Sequence, residues 1–361
     1  MSDFGDFPAT VHELRTMCKK YQTWINQLKN EVIEIEKKYS QAASEHIDNC
    51  EKCLERMKNG IDLLESNTTV RQAFQFMNRA MLLQQLHYNL PLQKWVDDGN
   101  GDIKLENPID RLPVVNDPST WYDAENHVYG KWRPFQLAFI LINLNSMYDK
   151  DCDERNIVDL IWFPTGGGKT EAYLGLSAYT IFIRRLTNKN CSGTAILMRY
   201  TLRLLTAQQY ERASSMICAC DLIRKEHADK MGSDRISIGL WVGSSTTPNS
   251  FKQSVKDYDS LYNGRSDANP FVMLKCPWCG AQMGVVQKKH NLRALPGYKK
   301  VVGLRGQKRI IFQCRNVDHH CDFSSFGNEL PLYVVDEEIY EKTLLARFSF
   351  NGYWSMLPFK P

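Results

Sequence analysis

Between residues 10 and 90 apolar side chains recur at spacings of three and four, beginning with "TVHELRTMCKKYQTWINQLKNEVIEIEKKY", and almost no glycine or proline interrupts them. That period lays one apolar stripe along a helix, so the stretch predicts an all-α region. Gly60 and the "ESNTT" segment near residue 67 are the expected breaks, giving about three helices, the third at "VRQAFQFMNRAMLLQQLHY". Residues 91 to 131 are rich in Asp, Asn, Gly and Pro and predict an irregular connector that ends at "GKWRPFQLAFILINL". From there to about residue 270 strand-type and helix-type runs alternate: "DLIWF", "EAYLGLSAYTIFIRRL", "GTAILMRY", "LRLLTAQQYERASSMICACDLIRKEH", "RISIGLWVG". Alternation of this kind predicts an α/β fold, a parallel sheet with helices on both faces.

Composition changes this picture little. Of 361 residues 43% are apolar and 24% charged, enough for about two domains with real cores. The net charge of +4, from 45 basic against 41 acidic residues, means that a nucleic-acid site would be a local patch and not a global field. No apolar run approaches the ~20 residues of a membrane helix, and "MSDFGDFPAT" has neither a basic nor an apolar leader segment. Together with eleven cysteines, an odd number, this predicts a cytoplasmic protein whose thiols serve metals or fill cores. Cys50 and Cys53 lie on one face of a helix with no second pair nearby, and are expected to pack.

The chemistry concentrates in "IVDLIWFPTGGGKTEAYLGLSAYTIFIRRL", residues 157–186. An apolar strand-type run, three glycines and a helix follow one another, the order a phosphate loop requires, because only a glycine-rich turn brings backbone N–H groups close to a phosphate. Thr165, Gly166, Gly167 and Gly168 would form the turn; Lys169 would reach the β- and γ-phosphates of ATP, and Thr170 would place its hydroxyl on Mg²⁺. The general phosphate-loop pattern has glycine at position 163, where this chain has Phe163. A loop of this type on a parallel sheet predicts one RecA-like lobe.

Two cysteine pairs lie further on. "LKCPWCGAQM" sets Cys276 and Cys279 in a tight turn, and "FQCRNVDHHCDF" adds Cys314 and Cys321. Four thiolates in two pairs suit tetrahedral Zn²⁺ as a closed structural clip without zinc chemistry. The wider second spacing leaves His319 and His320 open as the fourth ligand. "LPLYVVDEEIY" offers a strand ending in Asp336 and Glu337, a pair of carboxylates able to hold Mg²⁺ and polarise water.

The Pro-Thr-Gly form of the loop, with "WRPFQLAFIL", "AILMRYTLRLLTAQQYERA", "IGLWVG", "VVDEEIY", the helical N-terminal region and the "CPWCG" insertion, resembles the DISARM-type anti-phage helicase component, a bacterial superfamily 2 protein. The resemblance covers most of the chain. It implies an ATP-dependent DNA helicase or translocase with Gln136 reading adenine and a loop carrying Arg199, Thr201, Arg203 and Gln208 on the DNA backbone. The usual form of that loop is Pro-Thr-Arg-x-Leu-Ala-x-Gln; here the arginine lies one position late and proline is missing. In that family "VVDEEIY" looks like the exit from the zinc insertion, so Asp336 and Glu337 are not carried over as catalytic. The implied organisation is a helical domain (1–95), a connector (96–131), the first RecA-like lobe (132–270), the zinc-binding insertion (271–328) and a return to the lobe (329–361). The family continues through motif II, a coupling motif and a second lobe with its arginine finger, so this chain is expected to bind nucleotide weakly and turn it over poorly. It is read as a truncated product, or as half of a split helicase completed by a second half or by other defence subunits. Two rivals remain: a non-catalytic module that binds nucleotide and DNA or a partner, and a self-contained ATPase using Asp336 and Glu337.

Overall fold

A computed structural model of the chain describes residues 1–34, 37–121, 131–164, 166–191, 193–199, 203–243, 245–303, 306–325 and 327–347. Three long helices open it, as the apolar spacing requires: α1 (Phe7–Glu31), α2 (Lys37–Ser66) and α3 (Thr68–Tyr88). Asn67, inside "ESNTT", ends one helix and caps the next by accepting from the N–H groups of Thr69 at 3.0 Å and Val70 at 3.1 Å, donors that the first turn leaves without partners. Gly60 is not a break. The helix α2 runs through it, and a Cβ there would drive into the carbonyl oxygen of Leu141 on α4 (Pro134–Tyr148). This glycine serves the close approach of two helices.

The chain divides into two compact units. The first comprises residues 1–89, 113–189 and 215–232 and is helical. At its centre α3 packs on α5 (Lys169–Thr187), while α4 packs on α2 and α5. Both sides of α3 are apolar, so Phe74, Phe76 and Met77 are all buried, beside Phe182 and Tyr179 of α5. Arg79, 1% exposed, is a charge within this core. It pairs with Asp3 at 2.9 Å and with Glu226, and lies over the Phe4 ring at 5.2 Å. A charge so buried is tolerable only when paired.

The second unit comprises residues 90–112, 190–214 and 233–361. The division falls within α6 (Arg203–Glu226), which is followed by the short α7 (Ala228–Met231). The stretch expected as an irregular connector contains an antiparallel hairpin of β1 (Trp95–Asp97) and β2 (Ile103–Leu105). Next come β3 (Ile238–Gly239), α8 (Phe251–Tyr262), a small pair of β4 (Val286–Gln287) and β5 (Arg293–Ala294), and a longer ribbon of β6 (Gly297–Val302) and β7 (Lys308–Gln313). The ribbon's register runs from Gly297↔Gln313 to Val302↔Lys308, and α8 packs on β7. Last come β8 (Leu332–Tyr333), parallel to β3, and α9 (Asp336–Arg347).

The molecule is therefore mixed α and β, with small sheets. The expected helices form, whereas "DLIWF" and the described part of "GTAILMRY" make no ladder among the described residues. Val158, Leu160 and Trp162 are 94, 80 and 89% exposed. Among the described residues, parallel pairing consists of β3 with β8 and an isolated bridge of Gln93 with Ala281. No described helix is long and apolar enough to cross a membrane.

Candidate functional site

The glycine-rich turn lies in the first unit, at the N-terminus of α5. Gly168 is its cap residue, with φ +90° and ψ 27°, a left-handed conformation that glycine adopts without steric cost. Gly167 is buried, and its N–H donates to the Pro164 carbonyl at 3.1 Å. Lys169 opens the helix, and its ammonium donates to the carbonyls of Phe163 and of Pro164, the latter at 3.1 Å, which fixes it over the loop. Thr170 follows in the first turn. A helix of 19 residues thus presents its positive end and a lysine at a glycine turn, the arrangement suited to an anion. Thr165 lies outside the described residues.

Gln136 sits on α4 and is buried. Its amide oxygen accepts from the Arg133 N–H at 2.8 Å, closing the first turn of α4, and its amide nitrogen donates to the Gly168 carbonyl at 2.7 Å. Arg133 donates to the Gly167 carbonyl at 2.7 Å. Two side chains, one from α4 and one from the residue that caps it, therefore grip two consecutive carbonyls of the turn. The Phe135 ring stacks on Phe163 at 4.0 Å and 13°. The role of Arg133 escaped the sequence, because nothing in "WRPFQ" says which carbonyl, 34 residues on, the guanidinium meets. Beside Phe135 and Phe163 a cavity of about 860 Å³ opens between α1, α2, α4 and residues 160–163, with almost wholly apolar walls.

Behind the turn, Arg56 of α2 holds Asp159 through two hydrogen bonds of 2.7 and 2.9 Å, donates to the Ile142 carbonyl at 2.9 Å and approaches Glu154 at 3.4 Å. The segment that leads into the loop is thus anchored to the N-terminal helices. An aspartate inside "IVDLIWF" was the available signal, since a charge in an apolar run needs a partner.

The second site lies wholly in the other unit. The Sγ atoms of Cys276, Cys279, Cys314 and Cys321 are all within 4.8 Å of one another and buried. Two separations are 4.0 Å (Cys276 to Cys321) and 3.5 Å (Cys279 to Cys314), which bracket the ~3.8 Å edge of a tetrahedron with Zn–S bonds of about 2.3 Å. His319 and His320 stay outside the cluster, so the fourth ligand position falls to cysteine. The first pair is set by a turn in which Cys276 N–H donates to Ala281 and Gly280 N–H to Cys276; the second by Cys314 N–H to Phe323 and Cys321 N–H to Asn316. The Asn316 N–H points to the Cys314 sulfur at 3.4 Å. Trp278, fully buried, donates to Asp322 at 2.7 Å and meets Phe323 edge-on, locking one turn against the other. Hydrogen bonds from the other three thiols hold Cys279 well below the ordinary thiol range, while burial pushes Cys276 well above it. Four thiols in so dry a site cannot all ionise unaided, and a divalent cation is what would let them. The residues fit Zn²⁺.

Arg199 and Gln208 are exposed, Arg203 opens α6, and Thr201 lies outside the described residues. Asp336 and Glu337 begin α9 and do not end a strand. Glu337 accepts from the Phe251 N–H at 2.8 Å and so helps to cap α8, and burial raises the Asp336 carboxyl above its ordinary value. Cys50 and Cys53 are half-buried on α2, and none of the eleven cysteines is in a disulfide.

No model of a known protein family matches the chain. It is 35% identical over 371 aligned positions, 99% of its own length, to the DISARM protein DrmA of Bacillus paralicheniformis, of which it spans 29%. The resemblance carried by the motifs therefore stands, and the chain is similar to DISARM protein DrmA along nearly all of its own residues.

Proposed function

We propose that the chain supplies the nucleotide-binding portion of an ATP-dependent DNA helicase or translocase of superfamily 2 that serves anti-phage defence. The observation that carries this reading is the glycine turn at the N-terminus of α5, with Lys169 held over it and Gln136 and Arg133 bracing it from behind. In this reading the N–H groups of Gly166 and Gly168 meet the phosphates while that of Gly167 holds the turn, Lys169 meets the β- and γ-phosphates, and Thr170 orients Mg²⁺. ATP would supply the free energy of phosphoryl transfer, and the protein's part is positioning and charge compensation. Gln136 takes on a second duty besides meeting adenine, since its amide already holds the loop.

The same reading makes residues 132–270 and 329–361 one RecA-like lobe. Arg199, Thr201, Arg203 and Gln208 would touch the DNA backbone. The helical domain 1–95 and connector 96–131 precede the lobe. Zn²⁺ on the four cysteines would clip the insertion 271–328. Further lobes or defence subunits would complete the engine, in the cytoplasm. Against a self-contained ATPase stands the structural engagement of Glu337 at the start of α8.

The test is binding and hydrolysis of ATP by the purified chain, with and without single-stranded DNA, beside Lys169→Ala. We expect nucleotide binding that Lys169→Ala weakens at least tenfold. Equal binding by the two proteins would refute the assignment.

A further inference from the structure

Residues 90–112 belong to the same compact unit as the four-sulfur cluster, and one buried side chain fastens them to it. Gln93, 3% exposed, precedes β1 and engages the turn that carries Cys276 and Cys279 through both its backbone and its amide. Its N–H donates to the Gly280 carbonyl at 2.9 Å, and its carbonyl accepts from the Gln282 N–H at 2.8 Å. Its side-chain Nε2 donates to the Cys279 carbonyl, while its Oε1 accepts from the Ile109 N–H at 2.8 Å, near the other end of the segment. Glutamine suits this position because one amide offers donor and acceptor together. The approach is so close that a Cβ at Gly280, where φ is +80°, would stand 2.5 Å from the Pro91 carbonyl oxygen. Trp95 adds a hydrogen bond from its indole N–H to the Gln282 carbonyl at 2.9 Å.

These bonds fall on the two peptide units that leave Cys279. In a trans peptide the C=O and N–H point in opposite directions, so holding one aims the other. The Cys279–Gly280 unit has its C=O on the Gln93 amide and its N–H on the Cys276 carbonyl at 3.0 Å. The Gly280–Ala281 unit has its C=O on the Gln93 N–H and its own N–H turned to the Cys279 sulfur. Gln93 thus aims a donor at a ligand sulfur that it does not itself touch. We infer that Gln93 is a positioning residue of the metal centre, and that metal binding in turn fastens residues 90–112 to the cysteine module. The inference rests on the zinc reading above and extends it to a side chain 186 residues before Cys279. A group that orients a ligand from outside strengthens metal binding, and by linkage the metal strengthens the attachment of that group to the same degree.

The experiment measures zinc affinity of the full, reduced chain by competition with a chromophoric chelator, and the absorption of the cobalt-loaded protein, for the parent, Gln93→Glu and Asp97→Ala. Gln93→Glu keeps the shape of the side chain and the acceptor for Ile109, but sets a carboxylate oxygen against the Cys279 carbonyl. Its zinc affinity should fall about 10- to 100-fold. Its sulfur-to-cobalt charge-transfer band should move to longer wavelength, because a thiolate relieved of a hydrogen bond gives up an electron more readily. Asp97→Ala loosens the same segment elsewhere, at the Lys289 N–H, and should bind zinc within about threefold of the parent. Circular dichroism should match in all three. Removing zinc from the parent should open the Ile109 N–H and those of β1 to hydrogen exchange. Unchanged affinity with an unmoved band in Gln93→Glu, an equal loss in Asp97→Ala, or amides of residues 93–109 that stay protected without zinc would overturn the inference and leave the zinc reading standing. A parent that takes up neither zinc nor cobalt on its thiolates would overturn both.

Discussion

Replacing Arg56 with methionine removes the guanidinium and keeps most of the apolar stem, leaving Asp159 and Glu154 facing each other with no cation between them. The side chains of Arg56, Asp159 and Glu154 are only 11, 16 and 19% exposed, so water can do little to compensate. Stranding one partner of a fully buried pair costs about 3–5 kcal/mol, whereas an exposed pair is worth about 0–1 kcal/mol. Burial here lies near the first limit, and the lost bond to the Ile142 carbonyl adds to it, so a destabilisation of about 3 kcal/mol is expected. For a cooperative unit of this size that lowers the melting temperature by roughly 6–12 °C. Urea unfolding of Arg56→Met, Asp159→Asn and the double variant would measure it. The cycle should show positive coupling, with the double variant more stable than the sum of the single losses predicts, because the neutral amide of Asp159→Asn no longer requires a cation. An Arg56→Met variant within about 0.5 kcal/mol of the parent would refute the idea that this clamp holds the segment leading to the phosphate loop.

Chelation of the purified chain, or Cys314→Ser, should remove about one equivalent of zinc and abolish hydrogen-exchange protection in β6 and β7, because four dry thiols lose the charge that binds them; less than half an equivalent in the untreated protein would sink the metal assignment. Asp336→Asn should change stability with pH in a defined direction. Burial raises the Asp336 carboxyl in the folded state, so its favourable contribution is complete below the unfolded carboxylate range and fades as pH rises through the folded value. The asparagine variant should therefore gain on the parent between acid and neutral pH, and a stability difference that stays flat over that range would remove the cause assigned.

What the sequence made legible was whatever is settled within a few residues. Helices α1 to α3 follow from a local apolar period, the start of α3 from Asn67, and the glycine turn from residues that lie side by side. The strands were less legible, since a ladder depends on a neighbour the local pattern does not name: β3 pairs with β8 more than ninety residues on, while "DLIWF", with the same strand-type composition, has no ladder partner among the described residues. Gly60 shows the same limit in a helix. Its composition signalled a break, but its purpose is set by Leu141 on another helix. The cysteine cluster falls between these cases. Spacing gave the first pair, and the choice of Cys321 over its neighbouring histidines came from a turn that returns its N–H to Asn316. Asp159 is the most instructive position. An acid in the middle of an apolar run tells the reader that a buried cation must exist, because the chain could not otherwise keep the charge there. It does not tell which of 45 basic residues supplies it. That one is Arg56, 103 residues earlier, and through it the stability of the N-terminal helices becomes a condition on the geometry of the phosphate loop.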